Sequence, residues 1–157
     1  MNTPFQSSTI LIGDDDADDR FLVEEALAEC EPRYPLRFAQ DGVEVMDYLH
    51  RVGPYADTTA YPTPGLILLD LNMPRKGGRE VLREIRSDPH LRNIPVVVWT
   101  TSRAEEDLEG SYLDGANRCI TKPSNFQEIQ LMLRDLTQTW LPQQNCSDPG
   151  KAVVKCN

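Results

Sequence analysis

The chain has 157 residues, 39% of them hydrophobic and 26% charged, with 25 acids against 16 bases and a formal net charge of -9. That length suits one domain with a real core, and the acidic surplus excludes a dominant nucleic-acid role, because phosphate backbones repel it. No run approaches the roughly 18 apolar residues of a membrane span, and residues 1–8 lack both the basic start and the apolar stretch of a secretion signal.

A cytoplasmic chain is therefore expected, with neither membrane nor nucleic acid as a partner. Cys30, Cys119, Cys146 and Cys156 show no close paired spacing, which argues against a zinc site. A disulfide framework does not suit a cytosolic chain either, so all four read as ordinary thiols.

Short apolar runs alternate with helical periodicities along the chain, which predicts a parallel sheet covered by helices. The expected strands are Thr9–Gly13, Leu36–Ala39, Leu66–Leu69, Val96–Trp99 and Arg118–Thr121. The first, third and fourth are continuous apolar runs, as in strands buried on both faces. The second and fifth are more mixed, as sheet edges tend to be.

Val23, Ala26, Leu27 and Cys30 give the stripe of a first helix, after Asp16 as a cap and with Asp18 and Asp19 favouring its dipole. Val45, Leu49 and Val52 mark the second helix, and Val81, Leu82 and Ile85 the third. The fourth, over 104–114, is the weakest: few apolar positions, and Gly110 inside at a cost of about 1 kcal/mol. The fifth is the clearest, stepping through Phe126, Ile129, Leu133, Leu136 and Trp140, with Ser124 and Gln127 as a capping box. Residues 53–65 hold three prolines and no periodicity, which predicts a surface loop. The domain is expected over 9–141, with tails at 1–8 and 142–157.

In an open parallel sheet, ligands bind beyond the carboxyl ends of the strands. Those ends carry Asp14-Asp15-Asp16, Asp70-Leu71-Asn72, Thr100-Thr101 and Lys122-Pro123. One mouth thus collects several carboxylates, a hydroxyl and a lysine. Clustered carboxylates call for a cation, and a hard ion with oxygen ligands and several waters is Mg2+. A lysine and a hydroxyl facing it suit the oxygens of a phosphoryl group.

The stretch from Ile10 to Trp140 resembles the receiver domain of two-component response regulators. The resemblance rests on Ile-Leu-Ile-Gly-Asp-Asp-Asp, Leu-Ile-Leu-Leu-Asp-Leu-Asn-Met-Pro, Pro-Val-Val-Val-Trp-Thr and Ile-Thr-Lys-Pro in this order. The segment from Asp47 to Arg79 resembles more narrowly the single-domain regulators paired with phytochrome histidine kinases. The resemblance implies a doubly wound, flavodoxin-like (βα)5 fold with strand order 2-1-3-4-5. It implies that Asp70 accepts a phosphoryl group from a phosphohistidine of the sensor kinase. It implies Mg2+ held by Asp14, Asp15, Asp70 and the backbone carbonyl of Asn72. Thr100 and Lys122 would contact the phosphoryl oxygens.

Two positions depart from the family pattern. Gly13 stands where a β-branched residue is usual, which would loosen the end of the first strand. Cys119 stands where many receivers carry a Tyr or Phe that rotates inward when the Thr moves. The resemblance also implies signalling through the face of the fourth helix, fifth strand and fifth helix. There Leu131 lies off the core stripe and points to a homodimer formed before phosphorylation.

Two other classes fit the residues less well. A phosphatase of the haloacid dehalogenase type needs a second Asp where Asn72 stands, and a substrate cap. A phosphate-independent scaffold would not need all five site residues.

Overall fold

The structure, a computed structural model, describes residues 7–29 and 33–141. Most of the expected tails at 1–8 and 142–157 lies outside these residues, as do Cys30, Cys146 and Cys156. Five strands, β1 (Ile10–Gly13), β2 (Leu36–Ala39), β3 (Leu66–Leu69), β4 (Val96–Thr100) and β5 (Arg118–Thr121), alternate with five helices. The helices are α1 (Ala17–Ala28), α2 (Gly42–His50), α3 (Gly78–Ser87), α4 (Glu105–Leu113) and α5 (Phe126–Trp140). All strands pair in parallel in the order β2-β1-β3-β4-β5, as expected.

The period-2 alternation of strand side chains divides the core in two. Leu11, Ile67, Leu69, Val96 and Val98 face one layer with Val45, Met46 and Leu49 of α2 and Val81, Leu82 and Ile85 of α3. Ile10, Ile12, Leu66, Leu68, Val97 and Trp99 face the other, with Val23, Ala26 and Leu27 of α1 and Ile129, Leu133 and Leu136 of α5. Each fully buried aliphatic side chain contributes roughly 1.5–3 kcal/mol of transfer free energy. The continuous apolar runs of the three central strands follow directly, since both faces are covered.

Several local expectations change. Gly13 does not loosen β1: it pairs with Ala39 and Leu69. A Cβ there would come within 2.8 Å of Val45 Cγ2, so the glycine lets α2 close onto the sheet. The cap of α5 falls one residue later than the expected Ser124–Gln127 box: Asn125 accepts from the Glu128 N–H at 2.8 Å. The second helix stops at His50, because Arg51 turns left-handed (φ 61°) and leaves Val52 exposed.

The 53–65 segment is an ordered cover. After a 3-10 turn at Gly53–Ala56, Tyr55 and Tyr61 pack on Tyr48 with ring centroids 5.2 and 5.7 Å away and on each other at 5.1 Å. Tyr48 Oη donates to the Pro62 carbonyl at 2.8 Å, and Arg37 Nε of the edge strand β2 donates to Ala60 at 2.9 Å. An exposed edge is thereby shielded from further strand pairing.

Candidate functional site

The ladder continues past the strand ends and fixes the backbone of the residues beyond them. The Asp14 N–H donates to Ala39 at 3.0 Å, the Asp70 N–H to Gly13 at 2.9 Å and the Lys122 N–H to Thr100 at 2.8 Å. Three residues far apart in sequence therefore emerge side by side at one edge of a rigid sheet, which positions side chains more sharply than a loop would.

Oxygens of Asp14, Asp15 and Asp70 lie within 4.8 Å of one another. Asp14 and Asp70 are buried and Asp15 is exposed, so the cluster opens to solvent on one side. Lys122 Nζ reaches Asp14 Oδ2 at 3.0 Å, Asp70 Oδ2 at 3.0 Å and Asp19 Oδ2 at 2.5 Å. The face of the Trp99 ring lies 4.9 Å from the same ammonium, within cation–π range.

Burial pushes the Asp14 carboxyl up to about 6, even though the Asp16 N–H and Lys122 pull the other way. Burial alone would lower Lys122, but the surrounding carboxylates outweigh it and hold the ammonium well above its usual range. Asp14 Oδ1 accepts from the Asp16 N–H at 2.9 Å. Its Oδ2 is buried and makes no hydrogen bond of good geometry, only the ion-pair contact with Lys122. A buried carboxylate oxygen with lone pairs to spare, beside two more carboxylates, fits a hard divalent cation.

The other expected residues take distinct places. Thr100 is buried at the end of β4, where its hydroxyl accepts from the Ser102 N–H at 3.1 Å. It joins the cluster through its carbonyl, which holds the Lys122 N–H. Asn72 is exposed; its N–H leans on Asp70 Oδ1 at 3.4 Å, and its side chain makes no hydrogen bond with the carboxylates. Cys119 lies half-buried on β5, away from the carboxylates, with its N–H donating to Tyr112 Oη at 3.0 Å. Leu131 stands 62% exposed on α5.

Sequence reasoning missed two contributors. The sequence places Asp19 with the dipole of α1, yet its carboxylate meets Lys122. The signal was its position: with Asp16 as cap, Asp19 is the third helical residue, whose side chain reaches back over the helix start. Arg75 was not singled out. It is left-handed (φ 68°) and donates from Nε to Asp41 Oδ2 at 2.9 Å, tying the turn after Asp70 to the cap of α2.

Residues 10–134 match the family model of the response regulator receiver domain. Response regulator Rcp1 of Synechocystis sp. (strain ATCC 27184 / PCC 6803 / Kazusa) is 42% identical over 132 residues, 84% of this chain and 87% of its own length. The phosphorylated cyanobacterial phytochrome response regulator RcpA superposes with a TM-score of 0.79 at 41% identity, covering 86% of this chain and 94% of that one. The Mn(2+)-bound form of Rcp1 superposes with a TM-score of 0.76 at 40% identity, over 85% and 94%. With the strand order, the carboxylate mouth and these matches in agreement, this chain belongs to the response regulator receiver domain family.

Proposed function

We propose that Asp70 accepts a phosphoryl group from a phosphohistidine of a sensor histidine kinase, of the phytochrome type, and that this modification switches the domain. The observation that carries the reading is Asp70 Oδ2 held 3.0 Å from Lys122 beside Asp14 and Asp15. Two of the similar proteins, Rcp1 and RcpA, are response regulators, and RcpA is a phytochrome response regulator solved in its phosphorylated form.

In the proposed chemistry an Asp70 carboxylate oxygen attacks phosphorus in line. The O–P bond forms as the N–P bond to the imidazole breaks, and the electron pair of that bond returns to the ring nitrogen. Lys122 donates to a phosphoryl oxygen and the Thr100 hydroxyl to another. Asp14, Asp15, Asp70 and the Asn72 carbonyl would hold Mg2+. When bound, that ion supplies charge neutralisation to the carboxylates and the incoming phosphoryl group. The chain assists its own phosphorylation, and attack of water on the acyl phosphate, which releases inorganic phosphate and restores the carboxylate, resets it.

The same reading gives residues 9–141 the switching role and places the chain in the cytoplasm. It includes a homodimer through the α4–β5–α5 face, supported by exposed Tyr112, Leu113 and Leu131.

The test is phosphotransfer from a phytochrome histidine kinase with ATP and Mg2+, in light and in dark. Wild type should acquire an acid-labile label, and the nearly isosteric Asp70→Asn should acquire none while melting normally. Labelling of the variant at the wild-type rate would overturn the assignment.

A further inference from the structure

An ammonium has three N–H donors, and Lys122 faces three carboxylates: Asp14, Asp70 and Asp19. Its side chain is 9% exposed, and the Trp99 ring lies against it. Its hydrogen bonds go to Asp19 and Asp70, with Asp14 Oδ2 in an ion pair at 3.0 Å, so a phosphoryl oxygen that enters must compete with these carboxylates for the ammonium.

The three carboxylates differ in their freedom to give way. Asp14 is wholly buried, with one oxygen held by the Asp16 N–H. Asp70 is the proposed acceptor itself, on a backbone fixed to Gly13. Asp19 sits in the first turn of α1 with a side chain 21% exposed, so it can rotate into water and be solvated there. It lies on α1, 103 residues from Lys122 in sequence, so this contact joins α1 directly to the loop after β5.

We propose that Asp19 is a positioning residue for Lys122, holding the ammonium in the unloaded site and releasing it to the phosphoryl group when Asp70 is loaded. The proposal rests on the reading of Asp70 as the acceptor. Asp19 competes with the phosphoryl oxygens for one charge-assisted hydrogen bond, and so it opposes loading. Its removal should make the site load more readily, the reverse of what loss of a merely structural contact would do.

The experiment titrates the full chain with beryllium fluoride, a phosphoryl mimic, at saturating Mg2+, followed by tryptophan emission. Asp19→Asn should bind roughly three- to tenfold more tightly than wild type, the scale of one charge-assisted hydrogen bond partly screened by solvent. Asp19→Ser should show the same gain, and Asp19→Glu, which restores a carboxylate, should return towards wild type. Asp18→Asn removes an equal charge from the same turn and should leave the affinity unchanged.

Unaltered or weaker binding in both neutral Asp19 variants would overturn the proposal. So would an equal gain in Asp18→Asn, which would reduce the effect to general electrostatics. Failure of wild type itself to bind beryllium fluoride would instead strike the assignment of Asp70, and the role of Asp19 with it.

Discussion

Arg79 of α3 donates from Nε to Asp114 Oδ2 at 2.7 Å, and its guanidinium lies over the one glycine of α4. A Cβ on Gly110 would come 2.4 Å from Arg79 Cζ. Arg83 reaches the same Asp114 oxygen at 3.0 Å, and Arg86 donates to the Gly115 carbonyl at 2.9 Å. The helix with the weakest apolar stripe is thus fastened by arginines of α3 rather than by burial of its own side chains, of which only Ser111 is buried besides Gly110.

This offsets the expected gain of a helix substitution. In an isolated helix Gly110→Ala would stabilise by about 1 kcal/mol. Here the methyl group must displace the guanidinium that Asp114 holds, at a cost of up to about 1 kcal/mol, so the variant should be about as stable as wild type. In an Arg79→Ala background the same change should stabilise. Urea unfolding of the four proteins checks this, and an equal gain of about 1 kcal/mol in both backgrounds would contradict the docking role of Arg79.

The Asp14 carboxyl predicts an unusual pH dependence for the metal-free protein. Because its folded-state value is raised to about 6 from 3.8, the folded chain binds a proton before the unfolded chain does. Stability should therefore rise as pH falls from 7 towards 5, by about 1 kcal/mol in that window, and the gain continues until the unfolded value of 3.8 is reached. Asp41 works the other way. Despite some desolvation, the Glu44 N–H and the Arg75 guanidinium hold it below its usual value, so its contribution is lost only in stronger acid. Thermal melts in a chelator should show higher stability at pH 5 than at pH 7, and Asp14→Asn should lose the rise. A rise equal to wild type in that variant would assign it to relief of the net charge of -9 instead.

The exposed member of the cluster should matter most to the metal. Asp15→Asn removes a full ligand charge, so Mg2+ affinity should fall at least about tenfold. The same change relieves repulsion among Asp14, Asp15 and Asp70 and should raise the melting temperature without metal. Melts with and without Mg2+ read both effects, since the ligand-induced stabilisation grows with the logarithm of one plus the ratio of Mg2+ concentration to Kd. An undiminished Mg2+ shift in the variant would place the metal elsewhere.

The elements legible in the sequence are those whose cause is local. Ile10–Gly13, Leu66–Leu69 and Val96–Thr100 show as apolar runs because helices cover both faces of the sheet. Asp14, Asp70, Thr100 and Lys122 stand out because a parallel sheet brings its strand ends to one edge. What escaped depends on partners distant in the chain. Gly13 is explained by Val45, Gly110 by Arg79, and Asp19 by Lys122, and no local pattern carries those pairings. The tyrosine cover over 53–65 escaped for the same reason: its order comes from Tyr48 and Arg37, outside the segment.

The α4–β5–α5 face gives the last prediction. Tyr112 and Leu113 of α4 and Leu131 of α5 are 50%, 87% and 62% exposed, while Cys119 lies half-buried on the strand between them. Tyr112 Oη already accepts from the Cys119 N–H, and Cys119 Sγ lies 3.7 Å from the Leu108 carbonyl, so this edge is closed from within the chain. No aromatic at position 119 has to rotate before two copies can meet, and the homodimer should form without phosphorylation. Light scattering on unphosphorylated protein at tens of micromolar should report a dimer. Leu131→Glu buries a charge in a two-fold interface twice over and should yield a monomer with an unchanged melting profile at low concentration. A monomeric wild type, or a dimer indifferent to the substitution, would remove this face as the interface.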